Sequence, residues 1–431
     1  VNYDCIIIGA GLSGLVCGIK CASAGLRTAI FSGGRNALHF SSGSIDLYGF
    51  DDEGKAVRNP VHYIEENVIK KKNHPYSKVG LNDTLEALTF FKESLSAQDL
   101  VLNGLKENNH FHVTGAGTVK PTFLSQRSVF SDRIAEAFRG TGPIAVLNFK
   151  GYRDYYAAIT VDIMKRNPLF NNRKIFVGNI ALPHYTRTER NLHEYRSIDL
   201  ARVFDSEKYL PRIADEIRQA CGDAEIISLP AFIGINNFNN VYDRLSSMTG
   251  RVIYEIPSLP PSILGMRIDQ ALRSQFAALG GELSEGDRVV GGEIIDGKVD
   301  HIHTEHYGDT RHRASYYVMS TGSFFSGGLS SSFNRLDEPI FSLPVSGSEN
   351  RRDWYSPEFF DKKSHPFLEY GVVTDENLHP LYNNDEPVDN LFCTGALLSG
   401  YNPIKEGSGG GIAVATGYSA AKAIISRTGK G

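Results

Sequence analysis

Residues 3–14 read YDCIIIGAGLSG, an almost wholly apolar run that ends in glycines at 9, 11 and 14. Few patterns restrict a fold so strongly. The apolar run suits a strand buried on both faces of a parallel sheet. The glycines satisfy G-x-G-x-x-G: Gly9 for the tight turn, Gly11 for close approach of the backbone to a phosphate or pyrophosphate, Gly14 for packing of helix on strand. A helical pattern follows to about Ala24, then a second strand, RTAIF, over 27–31. The chain thus opens on a βαβ unit of a doubly wound α/β sheet, with a helix N-terminus aimed at bound negative charge.

An adenine dinucleotide site ordinarily adds a carboxylate about 20 positions on, at the end of the second strand. Here that place holds Ser32, followed by Gly33, Gly34 and Arg35, and the nearest acidic residue downstream is Asp46. Three explanations stand. Ser32 or Arg35 binds the adenosine end of FAD by other contacts. Arg35 binds a 2′-phosphate, which means NADP. Or the ligand has no adenosine, which means FMN. The stretch NALHFSSGSIDL (36–47) places Ser41, Ser42, Gly43 and Ser44 just beyond the second strand. Small hydroxyls and bare backbone N–H groups suit the polar edge of a flavin ring. Later, STGSFFSGG (320–328) and CTGALLSGYNPIKEGSGGG (393–411) each end an apolar strand on Thr-Gly. Gly322, Gly395 and Ala396 therefore join the candidate cofactor-binding residues. Gly409 and Gly410 open a last helix whose dipole would stabilise a reduced flavin.

The 431 residues allow two or three domains at roughly 150 residues each. From about 56 to 255 the pattern is that of a separate α/β domain: strands at 143–149, 174–178 and 225–229, helices at 153–166 and 206–221. No glycine-rich phosphate loop follows Phe149. From 256 the first pattern resumes, with a helix over 262–281, a hairpin signalled by Asp296-Gly297, and a strand YYVMSTG (316–322). The reading is a discontinuous domain, 1–55 with 256–431, into which 56–255 is inserted.

Composition excludes some functions. The net charge of −4 and the single basic cluster Lys70-Lys71-Lys72 do not suit nucleic acid. The five cysteines, Cys5, Cys17, Cys21, Cys221 and Cys393, match no disulfide framework, zinc site or iron–sulfur centre, so no metal is expected. Reduced thiols fit a cytoplasmic protein. No signal-peptide pattern precedes the first strand, and no apolar run reaches the roughly 18 residues of a membrane span, so membrane contact is expected only through a partner.

Taken together, the early glycine turn and the two Thr-Gly strand ends resemble the flavoprotein fold of the glutathione-reductase and fumarate-reductase type, a Rossmann-like FAD/NAD(P)-binding sheet with an inserted cap domain. More narrowly, ALHFSSGSIDL, SLPPSILGMRI, STGSFFSGGL and GVVTDENLHPL resemble the B-subunit family of anaerobic glycerol-3-phosphate dehydrogenase, over about residues 3–425. The resemblance implies a flavoprotein described as using FMN. It implies a catalytic dimer with the flavoprotein A-subunit, and an iron–sulfur C-subunit that ties the dimer to the inner face of the cell membrane. It implies oxidation of sn-glycerol 3-phosphate to dihydroxyacetone phosphate, with electrons passing to quinone.

Such an oxidation needs a base for the hydroxyl proton and cations for the phosphate. His39, His184 and His379 are candidate bases by position, and His39 is preferred because it adjoins the serine stretch. Arg267, Lys405, Arg196 and Arg153 are candidate phosphate ligands. Two further readings are a non-catalytic flavin relay or scaffold, with chemistry in the flavoprotein partner, and an NADP-dependent reductase resting on Arg35.

Overall fold

The structure is a computed structural model that describes residues 2–34, 36–170, 173–181, 195–308, 310–333, 335–382 and 385–429. It forms two compact units. The first comprises residues 1–37, 45–98 and 271–431, and the second residues 38–44 and 99–270. The expected boundaries at 55/56 and 255/256 do not coincide with these. Residues 56–98 belong with the first unit, where helix Leu81–Ser96 packs on the closing helix Gly409–Thr428. Residues 38–44, which carry the serine stretch, belong with the second.

The first unit is built on a five-stranded parallel sheet in the order Glu282–Glu285, Thr28–Ser32, Asn2–Ile8, Arg313–Met319, Leu391–Cys393. The opening strand is central, and Cys5, Ile6, Ile7 and Ile8 are buried, as a strand covered on both faces requires. Helix Leu12–Ser23 follows it directly and packs against Gly409–Thr428. The Asp-Gly hairpin joins Val289–Ile295 to Lys298–Thr304, with Asp296 at φ +50° and Gly297 at φ +73°. Positive φ at both central residues matches the twist of the flanking strands.

The second unit has its own four-stranded parallel sheet, ordered Val252–Ile256, Ile226–Pro230, Ile144–Lys150, Ile175–Ala181. Helices Ala157–Arg166, Ser197–Phe204, Leu210–Cys221 and Phe238–Thr249 connect or flank these strands. The amphipathic spacing read from the sequence is met in Leu210–Cys221, where Leu210, Ile213, Ile217 and Cys221 are buried. All five cysteines are free and buried. No helix among the described residues is long and apolar enough to cross a membrane.

Candidate functional site

In the first unit the glycine turn lies where the opening strand feeds its helix. Gly9 has φ +111°, and a Cβ there would collide with the carbonyl oxygen of Ser320. A Cβ on Gly14 would collide with the carbonyl of Gly9, so this glycine brings helix onto strand. Gly11 differs. A Cβ there would meet only Ser320 O, at 3.9 Å, leaving its open side to a ligand. Gly11 is also the N-cap, and the helix has no side-chain cap and no acidic residue in its first turn. The first N–H groups of a helix have no partner within it. The hydroxyl of Ser13, in that first turn, is buried and makes no hydrogen bond. A cradle with open space, uncapped N–H groups and an orphaned hydroxyl fits a phosphate or pyrophosphate.

The other strand ends gather beside it. Gly9 approaches Ser320, whose hydroxyl bonds Thr394 Oγ1 at 2.7 Å. Gly395 N–H donates to Thr416 Oγ1 (2.9 Å), and a Cβ on Gly395 would press on Ser13 Cβ at 2.9 Å. Thr321 Oγ1, next to Gly322, is buried without a partner. Ala396 is exposed between buried neighbours. Both Thr-Gly ends thus share one edge of the first unit with the glycine turn. The closing helix has a different use for its glycines. A Cβ on Gly410 would meet Ile45 and Asp46 at 3.3 Å, and one on Gly411 would collide with Tyr76 Oη. These residues, with Gly409 against Pro403, let the helix start lie close to neighbouring chain. Lys405, half-buried on the short helix Pro403–Glu406, enters no ion pair among the described residues.

The missing carboxylate at the second strand end has a partial explanation. Ser32 is buried and its hydroxyl donates to Gly34 O at 3.0 Å, so it serves its own turn. Arg35 lies outside the described residues. Sequence reasoning missed Arg288. A Cβ on Gly33 would touch Arg288 Cβ at 3.0 Å, and one on Gly327 would lie 3.7 Å from its guanidinium. An exposed cation therefore runs past the turn where a ribose carboxylate is ordinarily found. Its only signal in the sequence was an arginine just after a short strand, far from Ser32 in the chain.

Within the second unit, His39 Nε2 lies 2.9 Å from Asp269 Oδ2, and both side chains are about nine-tenths buried. The carboxylate can only accept, so Nε2 carries a proton. Nδ1 is buried and has no partner. This is the arrangement of an oriented general base. Ser41 closes its own turn, donating to Leu38 O and accepting from Gly43 N–H, with Ser42 half-buried beside it. Gly43 packs against Leu264. Ser44 is not a free hydroxyl as expected: it is buried and bonded to His112 Nδ1 (3.0 Å) and Ser125 Oγ (2.9 Å), and Ser125 in turn to His110 Nε2 (2.9 Å). Burial pushes His110 down to about 3 and His112 well below the ordinary histidine value, so both are neutral.

Several candidates need correction. Arg267 is buried and grips Glu255 with both terminal nitrogens (2.7 and 3.0 Å). It also donates to Gly234 O and Gln126 Oε1 and stacks on Phe238. Its donors are committed inside the fold, so it is not a phosphate ligand. His379 is likewise fixed, bonding Leu391 O through Nδ1 and Arg427 through Nε2. Arg196 pairs with Asp154, and Arg153 is exposed. His184 lies outside the described residues. Glu293, Asp300 and His301 gather on the hairpin, but Asp300 already bonds His301 and Arg313.

An uncapped helix start with an open glycine, and two further strand ends beside it, define a phosphate- or pyrophosphate-binding α/β protein of the doubly wound type. The model of the FAD binding domain family matches residues 4–412. The chain is 36% identical over 436 residues to the anaerobic glycerol-3-phosphate dehydrogenase B-subunit of Aliivibrio fischeri, covering 99% of this chain and 96% of that protein. The corresponding proteins of Vibrio cholerae and Yersinia enterocolitica are each also 36% identical, covering 97% and 99% of those proteins. The chain belongs to the FAD binding domain family and, within it, to the B-subunit family of anaerobic glycerol-3-phosphate dehydrogenase. The matching family is one of FAD binding, which weighs against FMN, the cofactor expected from the sequence.

Proposed function

We propose that this chain is a flavin-dependent subunit of an anaerobic, quinone-linked glycerol-3-phosphate dehydrogenase that oxidises sn-glycerol 3-phosphate to dihydroxyacetone phosphate. The observation that carries the catalytic part is the His39–Asp269 pair with an unpartnered Nδ1. Asp269 holds the imidazole in one tautomer, and His39 Nδ1 takes the proton of the secondary hydroxyl. FAD, when bound, would supply the two-electron acceptor that such an oxidation needs. Gly11, Ser13 and the uncapped helix start would hold its pyrophosphate, and Arg288 would meet the adenosine end in place of the missing carboxylate. Gly322, Gly395 and Ala396 would leave backbone close to the cofactor, and Lys405 would counter negative charge at the start of the closing helix. FAD is preferred to FMN here because the family match is to an FAD binding domain.

The names of the relatives support a multi-subunit setting. In this reading the partners are the flavoprotein A-subunit and the iron–sulfur C-subunit, and membrane contact on the cytoplasmic side comes through them. A relay or scaffold role keeps one specific support: Arg267, one of the candidate phosphate ligands, is consumed by Glu255. The test is anaerobic addition of glycerol 3-phosphate to the flavin-loaded chain, alone and with the flavoprotein partner. Bleaching of the isolated chain's flavin, lost in His39→Gln, supports catalysis here. Bleaching only in the pair, insensitive to His39→Gln, assigns the chemistry to the partner.

A further inference from the structure

His39 and Asp269 stand 230 positions apart, yet their side chains meet at 2.9 Å. A hydrogen bond is gone by about 3.6 Å, so the two segments that carry them must keep their distance closely. Apolar burial is non-directional and does not by itself fix such a distance. The second unit fixes it by main-chain contact and by one buried amide.

The contact sets how near the segments come. Asp269 lies on helix Ile263–Ala278, and residues 38–44 rest on the start of that helix. Ser262 N–H donates to His39 O at 2.8 Å. Ser262 Oγ in turn accepts Gly265 N–H at 3.0 Å, which caps the helix. A Cβ on Gly265 would collide with Leu38 O, and one on Gly43 would collide with Leu264. Two glycines thus let main chain lie on main chain, on both sides of His39. Gly265 is not at positive φ, so its own backbone does not call for glycine. Glycine is unfavourable inside a helix, and the approach of Leu38 is what requires it here.

The amide sets how far apart they can move. Gln126 is fully buried. Its Nε2 donates to Leu264 O at 2.7 Å and to Gly43 O at 3.4 Å, so one side chain ties the helix start to the segment that carries His39. Its Oε1 accepts from Arg267 Nη1 at 3.3 Å. Arg267 is held in turn by Glu255, which also accepts from Ser128 Oγ and Ile233 N–H. A shifted member of such a network leaves a buried polar group unpaired, so the network favours a single geometry. Asp269 follows Arg267 by two residues on the same helix.

We propose that Gln126 and Gly265 are positioning residues for the His39–Asp269 pair: Gly265 sets the closest approach of the two segments, and Gln126 limits their separation. Both act through His39 and Asp269. The inference deepens the functional reading above and rests on it for the role of His39 as base, not for the geometry.

The test joins steady-state turnover of the complete complex with glycerol 3-phosphate to 15N spectra of the full flavin-loaded chain labelled at histidine. The spectra are taken on the alkaline side of the ring's titration, and the His39 signals are those lost in His39→Gln. In the parent the ring proton should sit on Nε2. Gln126→Met keeps the length of the side chain and removes its three hydrogen bonds. It is expected to lower kcat about ten- to a hundredfold, up to the cost of a 1 Å misplacement, with KM and flavin content as in the parent. Its His39 signals should move toward a mixture of tautomers. Gly265→Ala should act in the same direction, and if either variant fails to fold, the other decides. Leu245→Ala, a cavity in the same unit on helix Phe238–Thr249, should lower the thermal midpoint and leave kcat and the His39 signals unmoved. Unchanged kcat and His39 signals in Gln126→Met would overturn the proposal, and so would equal changes in Leu245→Ala. Shifted His39 signals in Gln126→Met, with normal turnover in His39→Gln, would uphold the positioning and refute the base reading instead.

Discussion

At the scale of single residues, the three glycines of the opening turn are not interchangeable. Gly9→Ala forces a side chain into positive φ and into Ser320 O. The strained conformation alone costs about 1–3 kcal/mol, so both thermal stability and flavin content should fall. Gly11→Ala meets nothing of the protein closer than 3.9 Å. It should keep the thermal midpoint of the flavin-free chain while lowering the flavin-to-protein absorbance ratio. Equal destabilisation of the flavin-free chain by both would mean that the open side of Gly11 is not a ligand site. His39 and Asp269 form a second contrast. Asp269→Asn offers an amide donor to Nε2, which moves the ring proton to Nδ1 and removes the base. Turnover of the complete complex should drop by about 10²–10⁴, the range for loss of a general base, with flavin content unchanged. A turnover indifferent to the substitution would make the pair structural. Sequence reasoning reached His39 from its neighbours, but it could not see Asp269, 230 positions away. For the same reason it misjudged Arg267: sequence shows a charge, whereas its partners Glu255 and Gln126 meet it only in the fold.

At the scale of elements, legibility followed periodicity. The apolar strand at 3–8, the helix with apolar positions three and four apart, and the Asp-Gly turn each carry their own local signal, and each forms. The helix read over 153–166 begins only at Ala157, because Tyr152 and Tyr155 are drawn into the core ahead of it. The two-residue and four-residue strands between 102 and 126 carry no period long enough to read. One of them, His110–Val113, imposes a pH dependence. Its histidines are neutral in the fold, His110 down to about 3, but titrate near the ordinary value of about 6.5 once unfolded. Below that value the unfolded chain binds more protons, so stability is intact above about pH 6.5 and falls as pH drops toward 3. Each histidine adds a slope of up to about 1.4 kcal/mol per pH unit. Denaturant midpoints at pH 7 and pH 5 should differ in that direction, and His110→Asn should flatten the difference. A slope unaltered by that substitution would place the origin elsewhere.

At the scale of the whole molecule, the cofactor decides how the missing carboxylate is understood. A ligand without adenosine would leave the second strand end with nothing to bind, and Ser32 would be a turn residue alone. Yet an exposed cation, Arg288, lies against Gly33 at that end, and the FAD binding domain model spans most of the chain, from residue 4 to 412. The chromophore released by denaturing the purified chain should therefore have the mass of FAD, and Arg288→Ala should weaken its retention during gel filtration while leaving the thermal midpoint of the flavin-free chain unaltered. Release of FMN would instead make Arg288 a surface residue and return Ser32 to the role of a closed end. The two variants separate the cases further: an FMN site would respond to Gly11→Ala and not to Arg288→Ala, whereas an FAD site responds to both, because only the longer cofactor spans from the glycine turn to the end of the second strand.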